Sequence, residues 1–183
     1  MNQLGQHLST RTGFRFHVRP ACPVDDRTIA EFFTHVTRDD LRFRFLTALD
    51  EVGTAQVTTL THVDHHWSEN FLAFAEGGSV MIATAMLVCD ATFDRGEVAI
   101  AIHKDFKHLG IGWELLAHIA RVADAKGVGV LEAIESRDNR AAIDLECDMG
   151  FTLEPYPDDP RLLLVSRRLK RDGLPSILTT ATV

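Results

Sequence analysis

With 183 residues, 45% of them hydrophobic, the chain has the size of one ordinary globular domain with a full core, and no second domain is needed. Its formal charge of −7 argues against generic nucleic-acid binding, which needs a basic footprint, and favours a cationic partner such as an amine, although acidity also simply aids solubility. No apolar run approaches a membrane span, and Met1-Asn2-Gln3-Leu4 lacks the charged start of a signal peptide, so a cytoplasmic protein is expected.

In chain order, residues 1–13 carry little pattern and read as a flexible N-terminal arm. Phe14-Arg15-Phe16-His17-Val18-Arg19 alternates like an edge strand that Pro20 ends. Pro23-Val24-Asp25-Asp26 opens a helix whose Ile29, Ala30, Phe32 and Phe33 share one face. Arg38 to Leu46 alternates in part and passes for a strand, but the acidic start at Asp39-Asp40 suits a helix. Thr54 to Val63 is a weaker helix, rich in β-branched residues. Two apolar runs, Phe71 to Ala75 and Ser79 to Val88, flank Glu76-Gly77-Gly78 and predict a hairpin.

After the turn at Asp94-Arg95-Gly96, the run from Glu97 to Ile102 predicts a buried strand, and alternation sets Glu97, Ala99 and Ala101 on one face. A helix from about Gly110 to Lys126 buries Leu115, Leu116, Ile119, Val122 and Ala123, with Gly127 as its cap. Val128 to Ile134 predicts a strand, Asp138 to Met149 a helix, and Phe151 to Leu153 and Leu162 to Val165 two closing strands. Residues 14–170 thus read as one domain and 171–183 as a C-terminal tail. Cys22, Cys89 and Cys147 have no metal-type spacing and are expected as reduced thiols.

The segment Ile102 to Leu116 is a strand end, a short loop and a helix start. Gly110 and Gly112 let the backbone approach a ligand closely, and the unpaired N–H groups of a helix start attract phosphate. Lys107 and His108 add donors at the same place. A Gly-x-Gly alone also fits a plain turn. The dinucleotide fingerprint is excluded because position 115 is Leu, and the Walker loop because Gly112 precedes Trp113-Glu114.

Lys107-His108-Leu109-Gly110-Ile111-Gly112 resembles motif A of the GNAT superfamily of acyl-CoA-dependent N-acetyltransferases, with Lys where Arg or Gln is usual. Asn139-x-x-Ala142-Ile143-x-Leu145 followed by Gly150-Phe151 resembles its second landmark helix. Arg42-Phe43 after Asp39-Asp40, and Leu60-Thr61-His62-Val63-Asp64, are similar to segments of the acetyltransferase domain in bacterial protein-lysine acetyltransferases. The resemblance implies an α/β GNAT fold: a central, mixed, mostly antiparallel sheet of about seven strands with helices on both faces. It implies acetyl-CoA as co-substrate, no metal, an amine acceptor that is a protein lysine or a small amine, and, by family habit, a homodimer.

By position the resemblance assigns Ile102, His103 and Lys104 to the pantetheine arm of acetyl-CoA. It assigns Gly110, Ile111, Gly112, Trp113, Glu114 and Leu115, with Lys107, His108 and Leu109 before them, to the pyrophosphate, and Asn139 to the cofactor arm or to a helix N-cap. Glu97 matches the family's general base, a role that a cleft with apolar walls supports by raising its pKa; the bland alternative is a solvated strand-end Glu. The Tyr that protonates the thiolate in many relatives is absent: Glu146, negatively charged and a poor substitute, stands at its position, and Tyr156 lies in a loop, so water or another group is left to protonate the thiolate. His62, His65 and His66 with Asp64 read as surface-loop composition rather than a metal site. Three functions fit: protein-lysine acetyltransferase, small-amine acetyltransferase, or a catalytically silent acyl-CoA sensor.

Overall fold

The structure, a computed structural model, describes residues 5–47, 49–78 and 80–169. Among the described residues one sheet holds eight strands: β1 (Gln6–Ser9), β2 (Arg15–Pro20), β3 (Ser68–Ala75), β4 (Met81–Cys89), β5 (Arg95–Ile102), β6 (Val130–Ser136), β7 (Thr152–Pro155) and β8 (Leu162–Arg168). Their spatial order is β1-β2-β3-β4-β5-β6-β8-β7, and every neighbouring pair is antiparallel except β5 and β6. Five helices complete the fold: α1 (Asp26–Phe33), α2 (Arg38–Phe45), α3 (Thr54–Thr61), α4 (Ile111–Ala125) and α5 (Arg140–Asp148).

The helices divide between the two faces of the sheet. On one side α1, α2 and α3 bury Ile29, Phe32, Phe33, Leu41, Val57 and Leu60 against Leu72, Phe74 and Ala101. On the other, α4 and α5 bury Ile111, Leu115, Leu116, Ile119 and Ile143 against Phe16, Val18, Ala73 and Val98. Each such Leu or Ile is worth about 1.5–3 kcal/mol before conformational entropy is counted. The central strands β3 and β4 are covered on both faces, which explains why their sequences read as continuous apolar runs.

Sequence expectations change at the N-terminal side of the sheet. Within the segment expected to be a flexible arm, Gln6 to Ser9 forms β1, because it pairs with Val18 to Arg15 and Leu8 reaches the core. As a result β2, expected at an edge, lies between two strands, and the sheet expected to hold about seven strands has eight among the described residues. The alternating Arg38–Phe45 segment is a helix, as its acidic start favoured: the Thr37 hydroxyl accepts the Asp40 N–H at 3.2 Å as an N-cap. The tail from Arg171 to Val183 lies outside the described residues.

The feature that positions the site is the parallel pair. β5 pairs with β4 along its length, from Cys89↔Gly96 to Ala83↔Ile102, whereas it meets β6 only at Arg95↔Val130, Gly96↔Leu131 and Glu97↔Glu132. Beyond that point β6 follows β8 and β5 follows β4. The two strands part, and a V-shaped gap opens at the centre of the sheet.

Candidate active site

The glycine loop crosses the gap. After a short 3₁₀ turn over Lys104–Phe106, the chain passes through two left-handed residues, His108 (φ 63°) and Gly110 (φ 84°), and α4 begins at Ile111. The Gly110 carbonyl accepts the Glu114 N–H at 3.3 Å, so the N–H groups of Ile111, Gly112 and Trp113 open the helix without intrahelical partners. A Cβ on Gly112 would stand 3.3 Å from Leu145 and 3.4 Å from Ile102, so its absence lets α4 sit between β5 and α5. The N-terminal segment braces the loop from outside: Thr12 Oγ1 donates to the Leu109 carbonyl at 3.3 Å, and the Arg11 guanidinium lies 4.3 Å over the Trp113 ring.

A cleft of about 340 Å³ fills the gap, within the size range of small-molecule sites. β5 contributes Val98, Ile100 and Ile102; the loop contributes Lys107, His108, Gly110, Ile111 and Gly112; and α5 contributes Asn139, Ala142, Leu145 and Glu146. Of the other residues singled out in the sequence, Leu109, Trp113 and Glu114 border a shallow hollow beside Arg11, and Leu115 is wholly in the core. The His103 N–H donates to the Ile82 carbonyl at 2.8 Å and the Lys104 N–H to that of His35 at 2.9 Å. The His103 ring is buried and stacked 4.7 Å from His35. Lys107 Nζ lies 2.6 Å from Asp40 Oδ2, so α2 already partners the loop's cation.

Carboxyl groups gather at the far end. Glu97, exposed at the mouth, lines a smaller recess with Phe43, Arg44, Ile134, Glu135 and Asn139, and this recess meets the main cleft at Glu135 and Asn139. Partial burial and then the carboxylate of its register partner Glu132 push the Glu97 pKa above the usual range, with Arg44 opposing. Burial lowers the Arg44 pKa to about 10, which leaves it charged at neutral pH. Glu132 itself is paired with Arg95.

The sequence analysis missed Glu135 and misjudged Glu146. Burial pushes the Glu135 pKa up to about 7, against the opposing hydrogen bond from Asn139 Nδ2 to its Oε2 at 2.7 Å. Asn139 holds the N-cap position of α5 by backbone geometry, but its side chain makes no capping bond and reaches Glu135 instead. Glu146, buried in the cleft wall, has its pKa pushed up to about 8 by burial and then by Glu135, so it is mostly neutral at pH 7 and not the ionised group expected.

The histidine-rich loop has structural work: Asp64 Oδ1 accepts the N–H groups of His66, Trp67 and Ser68, and His65 bonds Glu69 at 2.9 Å. Among the described residues no group of three or more His, Cys, Asp or Glu is placed to hold a metal ion. Cys22, Cys89 and Cys147 are free. No helix among the described residues is long and apolar enough to cross a membrane.

A glycine-bounded helix start at one end of a cleft and raised carboxyls at the other suit transfer between an anionic, phosphate-bearing donor and a basic acceptor. The acetyltransferase (GNAT) family profile matches residues 20–151, a span that holds the parted strands, the loop and all of α5. The chain belongs to the GNAT acetyltransferase family. An acetyltransferase from Pseudomonas aeruginosa is 28% identical over 144 residues, which cover 78% of this chain and 77% of that protein. The GNAT domain of S. lividans PAT superposes with a TM-score of 0.82 at 23% identity, over 90% of this chain and 97% of that one. The spermidine N-acetyltransferase of Vibrio cholerae, solved with CoA and spermine, gives 0.68 at 14% identity, over 84% and 95%. GNAT enzymes are acyl-CoA-dependent acyltransferases that use acetyl-CoA.

Proposed function

We propose that this protein is an N-acetyltransferase that moves an acetyl group from acetyl-CoA directly to a primary amine, with a protein lysine side chain as acceptor. The observation that carries the reading is that the cleft running from the N–H groups of Ile111 and Gly112 along the parted strand β5 shares Glu135 and Asn139 with the recess that Glu97 lines. Acetyl-CoA supplies the activated acyl group. Lys107 and the α4 start would hold its diphosphate, the apolar β5 wall its pantetheine arm, and Asn139 its acyl end. Glu97 is the general base: its raised pKa makes its carboxylate a better acceptor for a proton from the attacking nitrogen.

The acceptor recess is narrow, about 40 Å³, and its carboxyls attract a cation, which fits the end of an unbranched alkyl amine better than a bulky sugar. The lysine assignment draws support from Arg42-Phe43 and Leu60 to Asp64, since α2 places Phe43 in both the recess and the main cleft. A polyamine is the second reading, because its terminal ammonium meets the same recess and a structural relative was solved with spermine.

Thiol release from acetyl-CoA with a lysine-containing peptide, spermine, or no amine tests both. Turnover is expected with the peptide above the other two. Preference for spermine moves the assignment to the second reading. No release with any amine, together with no heat of CoA binding, would remove the proposal.

A further inference from the structure

Glu146 lies two helical turns beyond Asn139 on α5 and lines the main cleft. It is only 5% exposed, and its Oε2 is enclosed with no hydrogen-bond partner among the described residues. Buried polar atoms are almost always paired, and an ionised carboxylate left unpaired in apolar surroundings is costly. Among the described residues no structural partner accounts for Oε2, and packing alone would have been served by an apolar side chain beside Ile143 and Leu145.

The other titratable and charged groups on the cleft wall are Asp40, Lys107, His108 and Glu135. Asp40 and Lys107 neutralise each other, and Glu135, held by Asn139, is the one whose charge acts on Glu146. Glu135 also borders the recess that holds Glu97, so Glu146 stands behind the junction where donor and acceptor must meet.

We propose that the Glu146 carboxyl is the proton donor to the departing sulfur of the acyl donor, a role for which no tyrosine stands on α5. This rests on the acyl-transfer reading above. The arriving ammonium gives one proton to water through the open cleft, and Glu97 takes a second from the nitrogen as the nitrogen–carbon bond forms. Glu146 gives its proton to sulfur as the carbon–sulfur bond breaks and the electron pair stays on sulfur. The products are an amide, a neutral thiol, protonated Glu97 and ionised Glu146; exchange with water through the open cleft restores both side chains. Burial and Glu135 hold Glu146 near pKa 8, close to that of an alkyl thiol, so the transfer is nearly balanced at neutral pH.

The test combines a measurement on the ligand-free protein with kinetics. In carbon-13 NMR of the side-chain carboxyls, the resonance lost in Glu146→Gln is expected to titrate near pH 8 in the wild-type protein. Glu146→Gln should lower kcat with acetyl-CoA by about 100-fold, a typical contribution of a general acid, and leave the heat of CoA binding unchanged. An aryl thioester, whose thiol departs without a proton, should restore most of the lost rate. Titration in the ordinary carboxylate range, or full kcat in Glu146→Gln, overturns the proposal. Should that variant not fold, Glu146→Asp identifies the resonance and the titration decides. Wild-type protein that binds no CoA would instead sink the acyl-transfer reading, a result the titration does not depend on.

Discussion

Gly110 and Gly112 differ by two positions, yet their substitution by alanine should have different consequences. Gly110 sits at φ 84°, in the left-handed region, where an L side chain costs about 1–2 kcal/mol. A Cβ there would also stand 3.3 Å from the Thr10 Cβ, in a segment tied down by β1. Gly110→Ala should therefore destabilise the protein by about 1–2 kcal/mol, a fall in Tm of roughly 3–6 °C for a chain of this size. It should also weaken CoA binding, because the strain is relieved by turning the first N–H groups of α4. Gly112 has no positive φ and lies in the first turn of α4. Alanine there gains up to about 1 kcal/mol of helix propensity, which offsets the crowding against Leu145 and Ile102. Gly112→Ala should leave Tm nearly unchanged while narrowing the cleft where the donor passes. Differential scanning calorimetry with CoA titration reads both effects. Unchanged Tm and affinity in Gly110→Ala would refute the reasoning, as would a larger loss of Tm in Gly112→Ala than in Gly110→Ala.

Glu97→Gln should cut kcat by about 10²–10⁴, the usual worth of a positioned base, without altering the heat of CoA binding. Because Glu97 must be ionised to act, the rate should rise with pH through its raised pKa; Glu132→Gln, which removes a neighbouring carboxylate, should move that rise to lower pH. Asp40→Asn frees Lys107 from a pair spaced at 2.6 Å and removes a negative charge from the diphosphate end, so CoA affinity should rise by about fivefold, roughly 1 kcal/mol, and Lys107→Ala should lower it. Folded Glu135 and Glu146 keep their protons to about pH 7 and 8, whereas the unfolded chain loses them near the ordinary Glu value. Stability should then be greatest below that value and fall, by on the order of a few kcal/mol, as pH rises towards 8. Denaturant unfolding from pH 5 to 8 should show the slope, and Glu146→Gln should flatten it.

The loop, α4 and α5 were legible because glycine placement and helical spacing are local signals, and both survive into the fold at Gly110, Gly127 and Ile143. β1 was not legible: within Gln6 to Ser9 only Leu8 is buried, and its strand state comes from pairing with β2 rather than from its own pattern. The missed Glu135 and the misjudged Glu146 did leave a trace. Leu131 and Ala133 alternate inward on β6, and Glu135 is the next residue of the same parity. Glu146 follows Ile143 by three on the buried face of α5. A glutamate at an apolar position of either period is a signal of a site. The pairing of Asp40 with Lys107 left no trace, since 67 residues separate them and only the packed sheet brings α2 to the loop.

The state of those carboxyls decides whether the two ends of the cleft can work together. With Glu97, Glu132, Glu135 and Glu146 all ionised, the acceptor end would hold four negative charges against Arg44 and Arg95, and would oppose an anionic donor in the same cleft. Burial removes much of that conflict: at neutral pH Glu146 is mostly neutral and Glu135 is close to half-protonated. Glu132 is paired with Arg95, and Arg44 acts on Glu97. An arriving ammonium favours ionisation of Glu135, which makes room for its charge by releasing a proton. The same parting of β5 from β6 that opens the cleft therefore also sets its charge, because it exposes Glu97 at the mouth while leaving Glu135 sheltered inside.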